Sequence, residues 1–155
     1  MALPGALPAG CVVEVSPAAE ALVREVADHL TGGRAIFIDF GLDERELLAA
    51  HPHGTLAVVR GHREVHDPLD DPGNSDLSMF VNFRRIRAAA RAAGLTESLF
   101  ERQAEALGRW GFPKLLDEAL RATNSPADEV RFRLAAKNLL FGFENFWVLE
   151  LAPPT

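Results

Sequence analysis

At 155 residues, 48% hydrophobic and 25% charged, the chain suits one globular domain with a real core. Its formal net charge of -6 argues against unaided binding to nucleic acid or anionic lipid, and Cys11, the single cysteine, excludes an internal disulfide or a cysteine-rich zinc site. No apolar run approaches membrane-spanning length, and the opening residues lack the basic region of a signal peptide, so a cytoplasmic protein is the default expectation.

Residues 1–10, rich in Pro, Gly and Ala, read as a loose arm. Cys11 to Val15 reads as a short strand. Ser16 then caps a helix with Pro17 at its first position, where the missing N–H costs nothing. Leu22, Val23, Val26, Ala27 and Leu30 form its apolar stripe, and Gly32-Gly33 ends it. The unbroken apolar run Ala35 to Ile38 has the pattern of a strand buried on both faces of a parallel sheet. It closes in Asp39, Phe40 and Gly41, an acid and then a glycine free to turn. Strand, helix and strand within about 30 residues predict one right-handed βαβ unit.

Asp43 and Glu46 have capping-box spacing ahead of a short helix, and Thr55 to Val59 reads as a third strand. From Gly61 to Asp76 the chain is polar and rich in turn formers, the pattern of a long loop. Asn82 is placed to cap a helix over Phe83 to Ala93, closed by Gly94. Further helices are expected around 97–109, 114–122 and 126–140. Phe146 to Leu151 is a closing strand, and 152–155 a proline-broken tail. Residues 11–151 therefore read as a single α/β domain with a helical excursion.

Open α/β sheets place ligands beyond the carboxyl ends of their strands, which makes Asp39 the first residue to watch; capping the next turn is its ordinary alternative. His62, His66, Asp67, Asp70, Asp71 and Asp76 concentrate imidazole and carboxylate in one loop, a composition suited to a metal-dependent hydrolase, yet their spacing matches no established ligand motif. Arg84, Arg87 and Arg91, with Arg85 adjacent, form a basic helical stripe that reads more readily as a solvated face than as a site. Trp110, Phe112, Phe141, Phe143, Phe146 and Trp147 read as core aromatics, with an exposed patch as the alternative. Gly-x-Gly-x-x-Gly, the P-loop and the Gly-x-Ser-x-Gly nucleophile motif do not occur in the sequence.

Four blocks resemble the C-terminal half of the MidA-like family of class I S-adenosylmethionine-dependent methyltransferases, the family of the mitochondrial complex I assembly methyltransferase. Glu14-Val15-Ser16-Pro17 resembles its Glu-x-Ser-Pro segment, and Ile36 to Gly41 its Ile-Asp-Tyr-Gly strand, with Phe40 for Tyr. Gly54-Thr55-Leu56 and then His62 to Phe83 resemble its Gly-Thr-Leu and Asp-Pro-Gly block. Gln103 to Gly111 and Gly142 to Leu149 resemble its closing segments. Phe80 stands where that family has His, Asn82 where it has Asp, and Trp147 where it has Lys.

The resemblance implies a partial Rossmann-like methyltransferase sheet, an arginine-methylating activity on a protein substrate, and S-adenosyl-L-methionine as donor when an N-terminal half complements the chain. It implies catalytic roles for Asp39, Asp76 and Asn82, and substrate contacts from His62, Asp67 and Gln103. The expected partner is such a half, or a second copy joined through an open sheet edge. A non-catalytic assembly module that has kept the fold is the competing expectation.

Overall fold

In the computed structural model, Leu7 and residues 9–153 are described. Helix α1 spans Pro17–His29, with Ser16 Oγ accepting from Ala19 N at 3.3 Å, as its cap sequence predicts. Strand β1 spans Ala35–Leu42 and helix α2 Glu44–Ala50, the latter capped by the Asp43 carboxylate. Strands β2 (Ala57–Arg60), β3 (Arg63–Val65) and β4 (Asp76–Ser78) follow, then β5 (Val81–Asn82) and helix α3 (Phe83–Ala92). Strand β6 (Thr96–Arg102), helices α4 (Gln103–Arg109), α5 (Phe112–Ala122) and α6 (Pro126–Phe141), and strand β7 (Phe146–Ala152) complete the order.

The main sheet runs β5-β1-β7-β6, and a separate three-stranded sheet runs β3-β2-β4. β7 lies between β1 and β6, antiparallel to both, with Phe37 opposite Leu149 and Phe100 opposite Leu149 on the far side. β1 is parallel only to β5, and only at Gly41 and Leu42. Its backbone from Ala35 to Phe40 therefore pairs on one side, with β7, among the described residues.

The core lies on one face of this sheet. Val23 of α1, Phe83, Ile86, Ala89 and Ala90 of α3, and Leu149 and Leu151 of β7 are buried together. Burying each large aliphatic or aromatic side chain of this set contributes about 1.5–3 kcal/mol. The opposite face is covered unevenly. Val148 and Glu150 are buried there, whereas Ile36 and Ile38, opposite them in register, are half exposed. Ser98 Oγ donates to Glu150 Oε1 at 2.6 Å and Arg34 pairs with the same carboxylate. The Ser98 bond, and behind it Arg34, hold the Glu150 carboxyl below its ordinary range against the opposing effect of burial.

Four expectations are corrected. Cys11 to Val15 form no strand, so there is no βαβ unit: Val12 N donates to Pro52 O at 2.9 Å, and the Glu14 side chain is drawn away to another segment. The run Ala35–Ile38 is covered on one face rather than two. The 97–109 segment is strand and then helix, because β6 pairs with β7 along Thr96–Arg102 before α4 begins. The 61–76 segment is not one loop: it folds back through β3 into β4 as a small antiparallel sheet. The expected 1–10 arm lies mostly outside the described residues, as does the end of the tail.

Candidate active site at the carboxyl end of β1

The carboxyl end of β1 is fixed by a close approach. Gly41 is opposite Val81 of β5, and a Cβ on Gly41 would collide with Val81 O and the Phe83 ring, so a glycine is required for the contact, not for a turn. β5 carries Asn82 directly into α3, whose cap it forms: Asn82 Oδ1 accepts from Arg85 N at 3.2 Å. Asn82 Nδ2 donates to Glu44 Oε1 at 3.3 Å, and Glu44, although nearly fully buried, is balanced by Arg84. Both ends of the Asn82 amide are thus committed.

Glu14 gathers the neighbouring segments. Its Oε1 accepts from Thr55 N and Leu56 N, each at 2.8 Å, and its Oε2 accepts from Thr55 Oγ1 at 2.6 Å. The Thr55 hydroxyl accepts in turn from Phe80 N at 2.9 Å. Gly54 holds φ +90°, and a Cβ there would crowd Glu14 Oε1 at 3.0 Å. The Glu14 carboxylate therefore ties its own segment to Thr55 and Leu56, and the Thr55 hydroxyl extends the link to Phe80. Charge-assisted bonds of this kind are about twice as strong as neutral ones.

Between these anchors and α1 lies a cavity of about 110 Å³, bordered by Glu14, Ser16, Glu20, Phe80, Asn82 and Arg85. Glu20 is held by Arg85, with Nε 2.7 Å from Oε1. The Phe80 ring meets Phe40 edge-on at 5.4 Å and His51 at 5.1 Å. The cavity is mainly apolar, with Ala19, Met79, Val81 and Ile86 also in its lining, and the acids at its border, Glu14 and Glu20, already have partners. With those carboxylates already bonded, it is poorly suited to proton abstraction.

Of the expected site residues, the structure brings only Asn82 to this cavity. Asp39 lies within β1, not at its end: the strand runs on to Leu42, and Asp39 Oδ1 accepts from its neighbour Phe40 N at 2.8 Å. Asp76 is exposed on β4, opposite Val59. His62 is exposed in the β2–β3 turn at φ 61°, and Asp67 caps a turn by accepting from Leu69 N at 2.8 Å. Gln103 is buried, and its Nε2 donates to Leu139 O at 2.9 Å, which fastens α4 to α6. Among the described residues, no three His, Cys, Asp or Glu side chains converge as a metal-holding group.

The basic stripe is a partly solvated face, as expected, with internal partners: Arg84 and Arg91 are exposed, while Arg84 pairs with Glu44, Arg85 with Glu20 and Arg87 with Glu97. Glu14, Glu44 and Thr55 are the residues that a reading of spacing alone misses. Glu14 and Thr55 stand in recognisable blocks, but nothing in the chain order says that the blocks touch.

A family described as "Putative S-adenosyl-L-methionine-dependent methyltransferase" matches residues 2–100, more than half of the chain. The chain belongs to this methyltransferase family, and its mixed sheet with flanking helices is a Rossmann-like methyltransferase fold. Two crystal structures of superfamily members from Burkholderia thailandensis superpose on it. One, a native structure, gives a TM-score of 0.80 at 29% identity, covering 93% of this chain and 41% of that one. The other, bound to S-adenosyl-homocysteine, gives 0.80 at 31% identity, covering 92% and 38%.

Among curated proteins, the "Protein arginine methyltransferase NDUFAF7, mitochondrial" of Mus musculus is 35% identical over 81 residues, 51% of this chain and 17% of that protein. Its Xenopus laevis counterpart is 31% identical over 97 residues, 57% and 20%. The matched segment thus spans about a fifth of these relatives' length and about two fifths of the solved chains.

Proposed function

We propose that the chain forms the C-terminal portion of an S-adenosyl-L-methionine-dependent protein arginine methyltransferase, and that it binds the donor only when further strands complete the sheet beside β1. The observation that carries this reading is the free side of β1. Among the described residues, Ala35 to Asp39 pair with no strand on the side away from β7, next to a groove of about 350 Å³ bordered by Leu22, Ile36, Ile38, Asp39 and Val81. Such an edge takes a partner strand readily, and the solved relatives have more chain than this one matches. In this role Glu14, Thr55 and Asn82 hold the segments that face substrate, and the donor is gripped by the complementing strands.

Calorimetric titration tests the proposal. The chain alone is expected to show no tight binding of S-adenosyl-L-methionine, and addition of an N-terminal methyltransferase half is expected to create it. Tight binding by the chain alone overturns the incompleteness.

A second reading, a non-catalytic assembly module, is favoured by one observation. The two positions where the resemblance gives His and Asp carry Phe80, engaged in ring contacts, and Asn82, engaged in capping. Phe80→His with Asn82→Asp, in the complemented protein, separates the two. Methyl transfer present before the change supports the enzyme; transfer absent both before and after supports the module.

A further inference from the structure

Helix α6 is apolar on two opposite sides. Phe132, Ala135, Ala136 and Leu139 fall on one side and line the seam with Phe112, Leu115 and Leu116 of α5, while Leu139 O accepts from Gln103 of α4. The other side repeats at positions 130, 134, 137 and 141, the four-three-four spacing of a coiled-coil seam. Val130, Leu134 and Phe141 occupy three of those positions and are 55%, 55% and 66% exposed. Lys137, also exposed, occupies the fourth. The helix runs 16 residues, so the stripe extends over about 24 Å. Its charges are segregated along it: Asp128 and Glu129 lie in the first turn, and Arg131, Arg133 and Lys137 follow. Arg131 pairs with Asp128 and Arg133 with Glu129. α6 packs on α5 and α4, and α4 on β6 and β7, so the stripe belongs to a different layer from the free side of β1.

We propose that the outer stripe of α6 is a dimer seam, occupied by α6 of a second copy of this chain running antiparallel. Three observations select that occupant. A stripe with apolar spacing of this kind is self-complementary about a two-fold axis: with Phe132 at the midpoint, Val130 of each copy lies opposite Leu134 of the other. The charge order selects the direction, because an antiparallel pair brings the acidic first turn of one copy, with Glu129, alongside Lys137 of the other, whereas a parallel pair sets Lys137 against Lys137. The antiparallel arrangement also opposes the two helix dipoles. The area selects the strength. Three large side chains and the stems of Arg131, Arg133 and Lys137 fall at or below the roughly 800 Å² per partner of a standard interface, which sets a reversible dimer with Kd on the order of 10–100 µM. Lys137 interrupts the apolar seam and holds the affinity down, as a polar residue at such a position does. The inference is independent of the methyltransferase reading.

Sedimentation equilibrium of the full chain from about 5 to about 500 µM tests it, with the monomer expected at the dilute end and twice its mass at the concentrated end. Leu134→Glu is expected to weaken association at least about tenfold and to leave the melting temperature of the dilute monomer unchanged, since the position is exposed. Lys137→Leu completes the seam and is expected to tighten the dimer at least about tenfold without forming larger species, a gain that a folding defect cannot imitate. A monomer throughout the range, indifference to both α6 substitutions, or association that Ile36→Ser with Ile38→Ser removes instead overturns the proposal. So does a chain that stays monomeric while Leu134→Glu abolishes capture of an N-terminal methyltransferase half, because the stripe then belongs to that half. Failure of the methyltransferase reading has a separate signature: the dimer persists while a complementing half and S-adenosyl-L-methionine produce no transfer.

Discussion

Two neighbouring strands of the main sheet invert the usual link between composition and burial. β7 carries a carboxylate in its middle, yet Val148, Leu149, Glu150 and Leu151 are all buried. β1 carries no charge from Ala35 to Ile38, yet Ile36 and Ile38 are about half exposed. The difference is in the neighbours. β7 has a strand on each side, core helices on one face and α4 packed against it, whereas β1 has β7 along its length and β5 only at its end. An apolar run announces that a strand will be covered. It does not say by which chain.

The comparison is broken most severely at Leu149, which is fully buried between Phe37 and Phe100 in register. Leu149→Ala is expected to cost about 2–5 kcal/mol, read as a fall in the urea midpoint, because packed neighbours relax only partly around the void. Next in size is the tether at the far end of β1. Glu14→Ala leaves Thr55 N, Leu56 N and the Thr55 hydroxyl without their shared acceptor, an expected loss of about 2–3 kcal/mol in the same assay. A value near zero would mean that the segment before α1 contributes nothing to holding the site.

Much of this was legible in the residues. Ser16-Pro17, Asp43 and Asn82 begin the helices they were expected to begin, because a short side chain that satisfies a free N–H acts within three residues. Phe146 to Leu151 is a strand for equally local reasons. β6 was hidden: Thr96 to Arg102 is followed by Gln-Ala-Glu-Ala-Leu, strong helix formers, and only pairing with β7 from some 50 positions away makes the first part extended. The same holds for the site. Asn82 was found because its block is local, whereas Glu14 acts on Thr55 across 41 positions and Gln103 spends its amide on Leu139. Phe141 and Phe143, read as core with an exposed patch as the alternative, are exposed.

The carboxylate within β7 gives a smaller, pH-dependent effect. The folded carboxyl of Glu150 titrates below its unfolded range, with the Ser98 hydroxyl as first cause. The stability it contributes is therefore fully present above the unfolded pKa, about 4.3, and is lost as pH falls through the lower folded value. Ser98→Ala is expected to move the folded pKa upward and remove about 1 kcal/mol at neutral pH, with the difference from wild type shrinking under acid. Urea midpoints measured from neutral pH down to acid check it. A gap that widens on acidification would assign the wrong sign to the Ser98 bond.

The smallest expected effect bears most directly on what β1 is for. Ile36→Ser with Ile38→Ser removes two half-exposed side chains from the free side of the sheet, so the isolated chain should change by only about 0.5 kcal/mol per site. The same pair should abolish capture of a complementing half, because a strand docking on Ala35–Phe40 would bury those side chains as well as bond the edge. Thermal melting of the isolated chain and a binding titration with the added half read the two effects separately. If the double substitution costs as much as Leu149→Ala, the isoleucines already have cover within this chain and the open edge is not a docking surface. If melting is unmoved and complementation is lost, hydrophobic residues that contribute little to this fold are explained by an assembly that uses them.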